Sequence, residues 1–355
     1  MWDRGVRAER ALLGAVLLDP AGQHRVLDLV QAGDMYRPWH AQVLAAMQRV
    51  RSRRALLEPV EVYRELQNDP DLPPSVAQDA VPLTGLMEAA PQARHAPAYA
   101  TIVVEGGIRR RLWLAGARMV QATEDGDLDA AWQQTACGRR ELGACAGRWL
   151  ALPAHLRRRL PAGKDATAVE AARQQAGTRR ARPRSYQAVA AGANALRELA
   201  ADPSQLTDVS RWLRPEHFAR PSDGALYAVM RDMNAAGMPV DPVTVTWEAA
   251  RRDVRADPAR LSGGTGAFAT SSAREVYRHG VLAGVARAGR DIQADARHPF
   301  CDPSTLMQLA GERLRVVMSE RQPGAVAGHA GRVFAPDRAM RARQPSRHPE
   351  REASR

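Results

Sequence analysis

Lysine is almost absent from this 355-residue chain: Lys164 stands alone, and every other cationic side chain is an arginine. A phosphate-binding loop of the form G-x-x-x-x-G-K-[ST] needs that lysine to reach the nucleotide and glycines to let backbone amides wrap it. Around Lys164 the first glycine is replaced by Arg158 and the hydroxyl residue by Asp165. ATP hydrolysis by this chain alone is therefore not expected. Cysteine is scarce as well. Cys137, Cys145 and Cys301 cannot build a disulfide framework and have no Cys or His partner at zinc spacing. Small buried thiols, a reducing cytoplasmic setting, and no metal or cofactor are expected. Aromatics make up 5%, so a core has to rest on Leu, Val, Ala and Met. No apolar run approaches the roughly 18–20 residues of a membrane span, and Met1 to Arg10 carries charges rather than a signal-peptide core. Strand-like alternation is missing too; short apolar runs such as Thr101 to Val104 continue a helical pattern.

What is in excess is positive charge, formally +12, and it is concentrated. Gly138 to Arg184 holds twelve Arg/Lys against Glu141, Asp165 and Glu170, and Arg321 to Arg355 holds eight arginines against Asp337, Glu350 and Glu352. The rest of the chain is close to neutral. Pro161, Gly163, Gly177 and Pro183 interrupt the first stretch, and Pro323, Pro336, Pro345 and Pro349 the second. Such composition buries too little apolar surface to offset ordering entropy, which predicts a flexible basic linker and tail. Arg157, Arg158, Arg159, Arg179, Arg180, Arg182 and Arg184 are candidate phosphate contacts, since a guanidinium fork matches phosphate oxygens. The competing reading is a solvated linker in an arginine-rich protein, because no aromatics interleave to form a stacking platform.

The chain also repeats itself. Displaced by 183 residues, Leu13 to Val62 lies on Leu196 to Val245 without a gap. Eleven pairs are identical, among them Asp19/Asp202, Pro20/Pro203, Pro38/Pro221, Met47/Met230 and Pro59/Pro242. Each aligned proline marks a turn or a helix start. Further on, Val120-Gln121-Ala122 matches Ile292-Gln293-Ala294 at a displacement of 172, which predicts a shorter loop in the second copy.

Each copy reads as helical. Trp39, Val43, Leu44, Met47 and Val50 share one helical face, as do Leu226, Tyr227, Met230 and Met233. Asp241-Pro242 is a good helix start, while Glu58-Pro59 occupies the same place with a poorer cap. Longer helices are predicted over 98–122 and 127–159, broken at Gly126, and again over 273–296 and 304–320, broken at Pro299 and Pro303. Each pair makes a helical hairpin. Gly263-Gly264-Thr265-Gly266 follows no strand and leads to no lysine, so it reads as a turn.

These residues resemble the N-terminal domain of the replicative DnaB-type helicases. Ala8-Glu9-Arg10-Ala11-Leu12-Leu13-Gly14-Ala15-Val16-Leu17-Leu18-Asp19 is similar to that family's opening helix, Asp34-Met35-Tyr36-Arg37-Pro38-Trp39-His40 to its aromatic-then-His segment, and Tyr99-Ala100-Thr101-Ile102-Val103 to the start of its long helix. In the second copy Glu216-His217-Phe218 and Met238-Pro239-Val240-Asp241-Pro242-Val243-Thr244 carry the resemblance. That copy departs from the pattern at Ala193 to Asp202, which lacks the Glu and Gly, and at Ser262 to Ser272, where Gly- and Ser-rich sequence replaces a leucine-bearing helix. The resemblance implies a small helical unit with a protruding hairpin, which in the family pairs with other hairpins to build the helicase collar and faces the primase. It also implies a structural role for His40.

The expected architecture is thus all-α. It comprises a first DnaB N-terminal-like domain over 1–160, a basic linker over 161–189, a diverged second copy over 190–320 and a basic tail over 321–355. No catalytic, cofactor-binding or metal-binding residue is expected. The expected function is a non-catalytic interaction module of DNA replication directed at a replicative helicase, a primase or a helicase loader, with self-association through the hairpins as a further prospect. Leu112, Trp113 and Met119 on the long helix are candidate partner-interface residues, with burial in the core as the alternative. Two other functions stay open: a subunit or diverged paralogue of a helicase whose ATPase lies on another chain, and an arginine-rich DNA-binding protein.

Overall fold

A computed structural model describes residues 2–69, 81–157, 185–298 and 301–321 of the chain. Among the described residues every regular element is helical. The first half contains α1 (Trp2–Leu18), the short α2 (Pro20–Gln23), α3 (Pro38–Ser52), α4 (Pro59–Gln67), α5 (Val81–Glu88) and the hairpin of α6 (Ala96–Ala122) and α7 (Leu128–Leu150). The second contains α8 (Tyr186–Ala201), the short α9 (Leu206–Val209), α10 (Pro221–Ala235), α11 (Pro242–Arg251) and the hairpin of α12 (Ala269–Arg297) and α13 (Pro303–Ser319). The expected linker up to Arg184, including Lys164, and the tail beyond Arg321 lie outside the described residues; Tyr186 to Val189, placed at the end of that linker, open α8.

The displacement of 183 holds to the residue through the body of each half. α3 and α10 start at Pro38 and Pro221 and run for 15 residues each. Asp19 accepts the Gly22 backbone N–H and the Gln23 amide, and Asp202 accepts the Ser204 N–H and the Gln205 amide. These hydrogen bonds favour the ionised form and hold both carboxyls below the usual carboxylate range. After α3, Arg54 turns left-handed at φ 57°; its counterpart after α10 is Gly237, at φ 69°. Glycine enters that region without the Cβ penalty that Arg54 carries. Asp241 caps α11 through the N–H groups of Val243 and Thr244, whereas Glu58 makes no side-chain cap on α4.

In the long helices the displacement is 173, not the 172 suggested by the Val-Gln-Ala match. Buried Ala100, Val103, Ile108, Leu112, Ala115 and Met119 of α6 correspond to buried Ala273, Val276, Val281, Val285, Ala288 and Ile292 of α12. A shift by one residue rotates a helix by about 100° and would turn this stripe away from its partners. The fall from 183 to 173 removes ten residues between the body and the long helix, which is the shorter loop the sequence predicts. The hairpin turns, 123–127 and 298–302, are equal in length; the two residues that set the capping Asp127 and Asp302 175 apart lengthen α12 to 29 residues against 27 in α6. The expected helix over 127–159 ends earlier, at Leu150, two residues before the stretch that contains Pro153, which cannot continue it.

One backbone contact survives with its glycine moved to the other partner. In the first half a Cβ on Gly14 of α1 would sit 1.9 Å from the carbonyl oxygen of Leu86 in α5. In the second half the position of Gly14 is Arg197, and α5 is replaced by the loop through Gly263 and Gly266, both at positive φ. Here the glycine lies in the loop: a Cβ on Gly264 would meet the Arg197 carbonyl oxygen at 2.3 Å. The segment Gly263 to Gly266 is the turn its sequence predicts.

Candidate functional site

Met1–Arg321 forms a single compact unit, and the two halves meet through their hairpins. α6 packs along α12, and α7 packs on α13, which closes a block of four helices. Small residues at the crossing let the backbones approach. A Cβ on Gly116 would lie 2.5 Å from the Gly289 carbonyl oxygen, and a Cβ on Gly289 would lie 2.6 Å from the Gly116 carbonyl oxygen. Because 116 and 289 are equivalent positions, this contact lies on a local two-fold axis that relates the halves. The helices run antiparallel: Arg109, midway along α6, reaches the end of α12, and Arg278, in the first half of α12, reaches the turn after α6.

The candidate interface residues all lie in this block. Leu112 and Met119 are buried, and Met119 sits against Gly138 of the return helix α7, with Leu314 of α13 also in contact with that glycine position. Trp113 is half-buried and lies under the guanidinium of Arg297, 4.9 Å from the ring centroid. Complete burial of an aliphatic side chain of this size contributes about 1.5–3 kcal/mol, so the pairing faces are a substantial part of the fold. Of the arginines singled out as phosphate contacts, Arg157 donates to the Leu152 carbonyl at 3.0 Å; Arg158, Arg159, Arg179, Arg180, Arg182 and Arg184 lie outside the described residues.

The block contains polar contacts that sequence inspection missed. The Arg109 guanidinium, 5% exposed, pairs with Glu105 at 2.8 Å and donates to the carbonyl oxygens of Ala296, His298 and Cys301. Arg278 pairs with Glu275 at 2.8 Å and donates to the Gly126 carbonyl at 3.1 Å. Each long helix thus sends one arginine to the turn of the other hairpin. A charged residue in an otherwise apolar helical stripe, as at Arg109, was the available signal.

Each hairpin is also tied to its own body, with opposite polarity in the two halves. In the first, buried Asp34 accepts from Arg148 of α7 at 2.6 Å and from the Gln31 N–H at 2.9 Å. In the second, the equivalent residue is His217, whose Nδ1 accepts the Arg214 N–H at 3.0 Å while its Nε2 faces Glu320, after α13, at 2.9 Å. With Nδ1 accepting, the ring proton belongs on Nε2 and is donated to Glu320. Burial pushes the His217 pKa down, against the opposing pull of Glu320. Both segments press on a glycine of the long helix: a Cβ on Gly107 would be 2.9 Å from Asp34 Cα, and one on Gly280 would be 2.5 Å from His217 Cα.

His40 has the structural setting its position implied. Its Nδ1 lies 2.7 Å from buried Glu9, which also accepts the N–H groups of Tyr36 and Arg37. In the second half Glu9 is replaced by Gly192 and His40 by Asp223, and Asp223 pairs instead with Arg260 at 2.8 Å. Cys145 and Cys301 are buried, and burial pushes the Cys145 thiol up to about 12; Cys137 is only half-buried, because it lies on the outward side of α7. Outside the block, the exposed Val243 and Trp247 of α11 form an apolar stripe, with Arg251 4.9 Å over the Trp247 ring. In the first half Val60 repeats Val243, the counterpart of Trp247 is Arg64, and Leu56 is exposed just before the helix. No helix among the described residues is long and apolar enough to cross a membrane.

Comparison with known proteins matches residues 3–105 and 185–279 to the family model of the DnaB-like helicase N terminal domain. The chain is 35% identical over 109 residues to the replicative DNA helicase DnaB of Geobacillus stearothermophilus, covering 31% of this chain and 24% of that protein. It is 36% identical over 114 residues to the replicative DNA helicase DnaB of Mycobacterium leprae (strain TN), covering 32% of this chain and 18% of that protein. The chain therefore spans a quarter or less of the length of these curated relatives. Among solved structures, the N-terminal domain of DnaB helicase from Mycobacterium tuberculosis aligns at 32% identity and a TM-score of 0.34, over 37% of this chain and 94% of that one.

Proposed function

The chain belongs to the DnaB-like helicase N terminal domain family, matched once in each half, and from that premise we propose that it is a non-catalytic interaction module of DNA replication. It presents two collar-type domains, over 1–160 and 190–320, already paired within one polypeptide, to a replicative helicase, its primase or its loader in the cytoplasm. The observation that carries this reading is the hairpin block. Met119, Gly116 and Gly289 are taken up by contacts between the halves and Leu112 is buried, so the arrangement supplies a fixed dimer-like shape without a second chain. Val60 and Val243, exposed at equivalent positions of the two halves, support a partner on the outer faces of the bodies, with Leu56 and Trp247 as exposed apolar neighbours. Exposed apolar groups at equivalent places in both halves are what a repeated contact needs.

The test is capture of purified helicase, primase and loader on the immobilised chain, beside an isolated collar domain as control, with ATPase measured on the chain alone. Binding to at least one partner, weakened by Trp247→Ala and Val60→Ser, is expected, with no ATP turnover. Failure to capture any of the three, or turnover that depends on Lys164, would overturn the reading.

A further inference from the structure

The polar contacts that lock the two hairpins are not symmetric, although the helices that carry them are. Position 109 is Arg in the first half and Leu282 in the second; position 278 is Arg in the second half and Glu105 in the first. Trp113, under Arg297, corresponds to Ala286, and Arg297 itself corresponds to Glu124. The helix whose end receives Arg109 is two residues longer than its counterpart, 29 residues in α12 against 27 in α6, while the turns that follow are equal in length.

We propose that the hairpin face of each half is a recognition surface for the other half alone, so the chain is closed against pairing with a second copy of itself through this face. This inference concerns the two halves and does not depend on the helicase reading. Pairing two first halves would put Glu105 against the Gly126 carbonyl and Glu124 over Trp113. Negative charge would then meet a carbonyl oxygen and the negative face of an aromatic ring. Arg109 would also meet the end of a helix two residues shorter than the one whose end offers it the carbonyls of Ala296, His298 and Cys301. Pairing two second halves would put Leu282 where the Arg109 guanidinium donates to those carbonyls, and losing hydrogen bonds to a charged group is costly. Only the mixed pair satisfies both turns. The apolar stripe gives affinity without choice, and the arginines supply the choice.

The test uses the full chain. Unlabelled and isotopically heavy protein, mixed and examined by native mass spectrometry, are expected to show monomers only; a mixed dimer would overturn the proposal. The variant Arg278→Glu/Arg297→Glu gives the second half the first half's residues. Amide exchange in 112–126 and 285–298 is expected to quicken about tenfold or more, the scale of losing hydrogen bonds to a charged group, while α1 and α8 keep their protection. Arg278→Lys with Arg297 intact is expected to stay near the parent. Should the double variant lose its helices altogether, Arg109→Leu, which removes the charge but not the bulk, is read at residues 296–302. Unchanged protection there, or in the double variant, would refute the recognition code.

Discussion

Gly116→Ala is the sharpest probe of how the halves meet. The new methyl would lie 2.5 Å from the Gly289 carbonyl oxygen, and the neighbouring side-chain carbon of Gln293 is already at 3.0 Å. To reach ordinary contact distance the two long helices have to part by about 1 Å, a gap that forfeits a quarter to a half of the dispersion energy of the atoms facing it. Overpacking of this kind costs about 1–3 kcal/mol. The gain in helix propensity, about 1 kcal/mol for Gly to Ala, opposes it but does not match the combined loss. A net destabilisation of about 1–2 kcal/mol is expected. The control is Gly284→Ala in α12, where a Cβ meets nothing within 4 Å and the same replacement should stabilise by about 0.5–1 kcal/mol. Thermal unfolding would therefore separate the two variants by about 4 °C or more, with Gly116→Ala below the parent and Gly284→Ala above it. Gly116→Ala/Gly289→Ala should cost less than the two single changes together, because the first has already parted the helices. A Gly116→Ala protein as stable as Gly284→Ala would refute the close crossing.

Three further outcomes follow from the buried polar groups. Glu9→Ala leaves buried His40 without its partner and the N–H groups of Tyr36 and Arg37 without their acceptor, which should cost about 3 kcal/mol in denaturant unfolding. The His217 pKa is depressed in the folded chain by burial, so the unfolded chain binds more protons. Stability from this group is then present above about pH 6.5, the unfolded value, and falls as pH drops below it; His217→Gln is expected to flatten that part of the stability–pH curve. Replacing Arg157, Arg158, Arg159, Arg179, Arg180, Arg182 and Arg184 with Gln is expected to abolish salt-sensitive retention on single-stranded DNA while leaving helicase capture intact. Retention that survives the replacement would remove these arginines as phosphate contacts.

Much of this architecture is legible in the sequence because turns and caps are local. Pro38 and Pro221, Asp19 and Asp202, and Asp241 each announce a boundary through chemistry confined to a few residues. The Val-Gln-Ala match lies one residue off the true register of the long helices because Gln121 and Gln293 are exposed or half-exposed, where identity is weakly constrained; Met119 and Ile292, dissimilar but buried, set it. Pro153 was an available stop signal for α7. The pairs Asp34–Arg148 and His217–Glu320 join residues 114 and 103 positions apart, a separation at which no local pattern exists. The interface of the halves is legible in the sequence through Leu112, Trp113 and Met119, but the close crossing at Gly116 and Gly289 is not. These are two among several glycines of the long helices, and no local pattern separates a glycine at a crossing from one, such as Gly284, that faces open space.

The opposite polarity of those two body-to-hairpin pairs has a consequence for inheritance. Duplicated sequences are prone to overwrite one another by gene conversion. A tract that copied the first body over the second, but not its return helix, would set a buried Asp in front of Glu320. The reverse tract would leave Arg148 facing an imidazole whose free nitrogen already accepts a backbone N–H. Either hybrid would bury like charges or an unpaired one, so selection is expected to discard it and the two copies to keep drifting apart in sequence while their backbones stay alike.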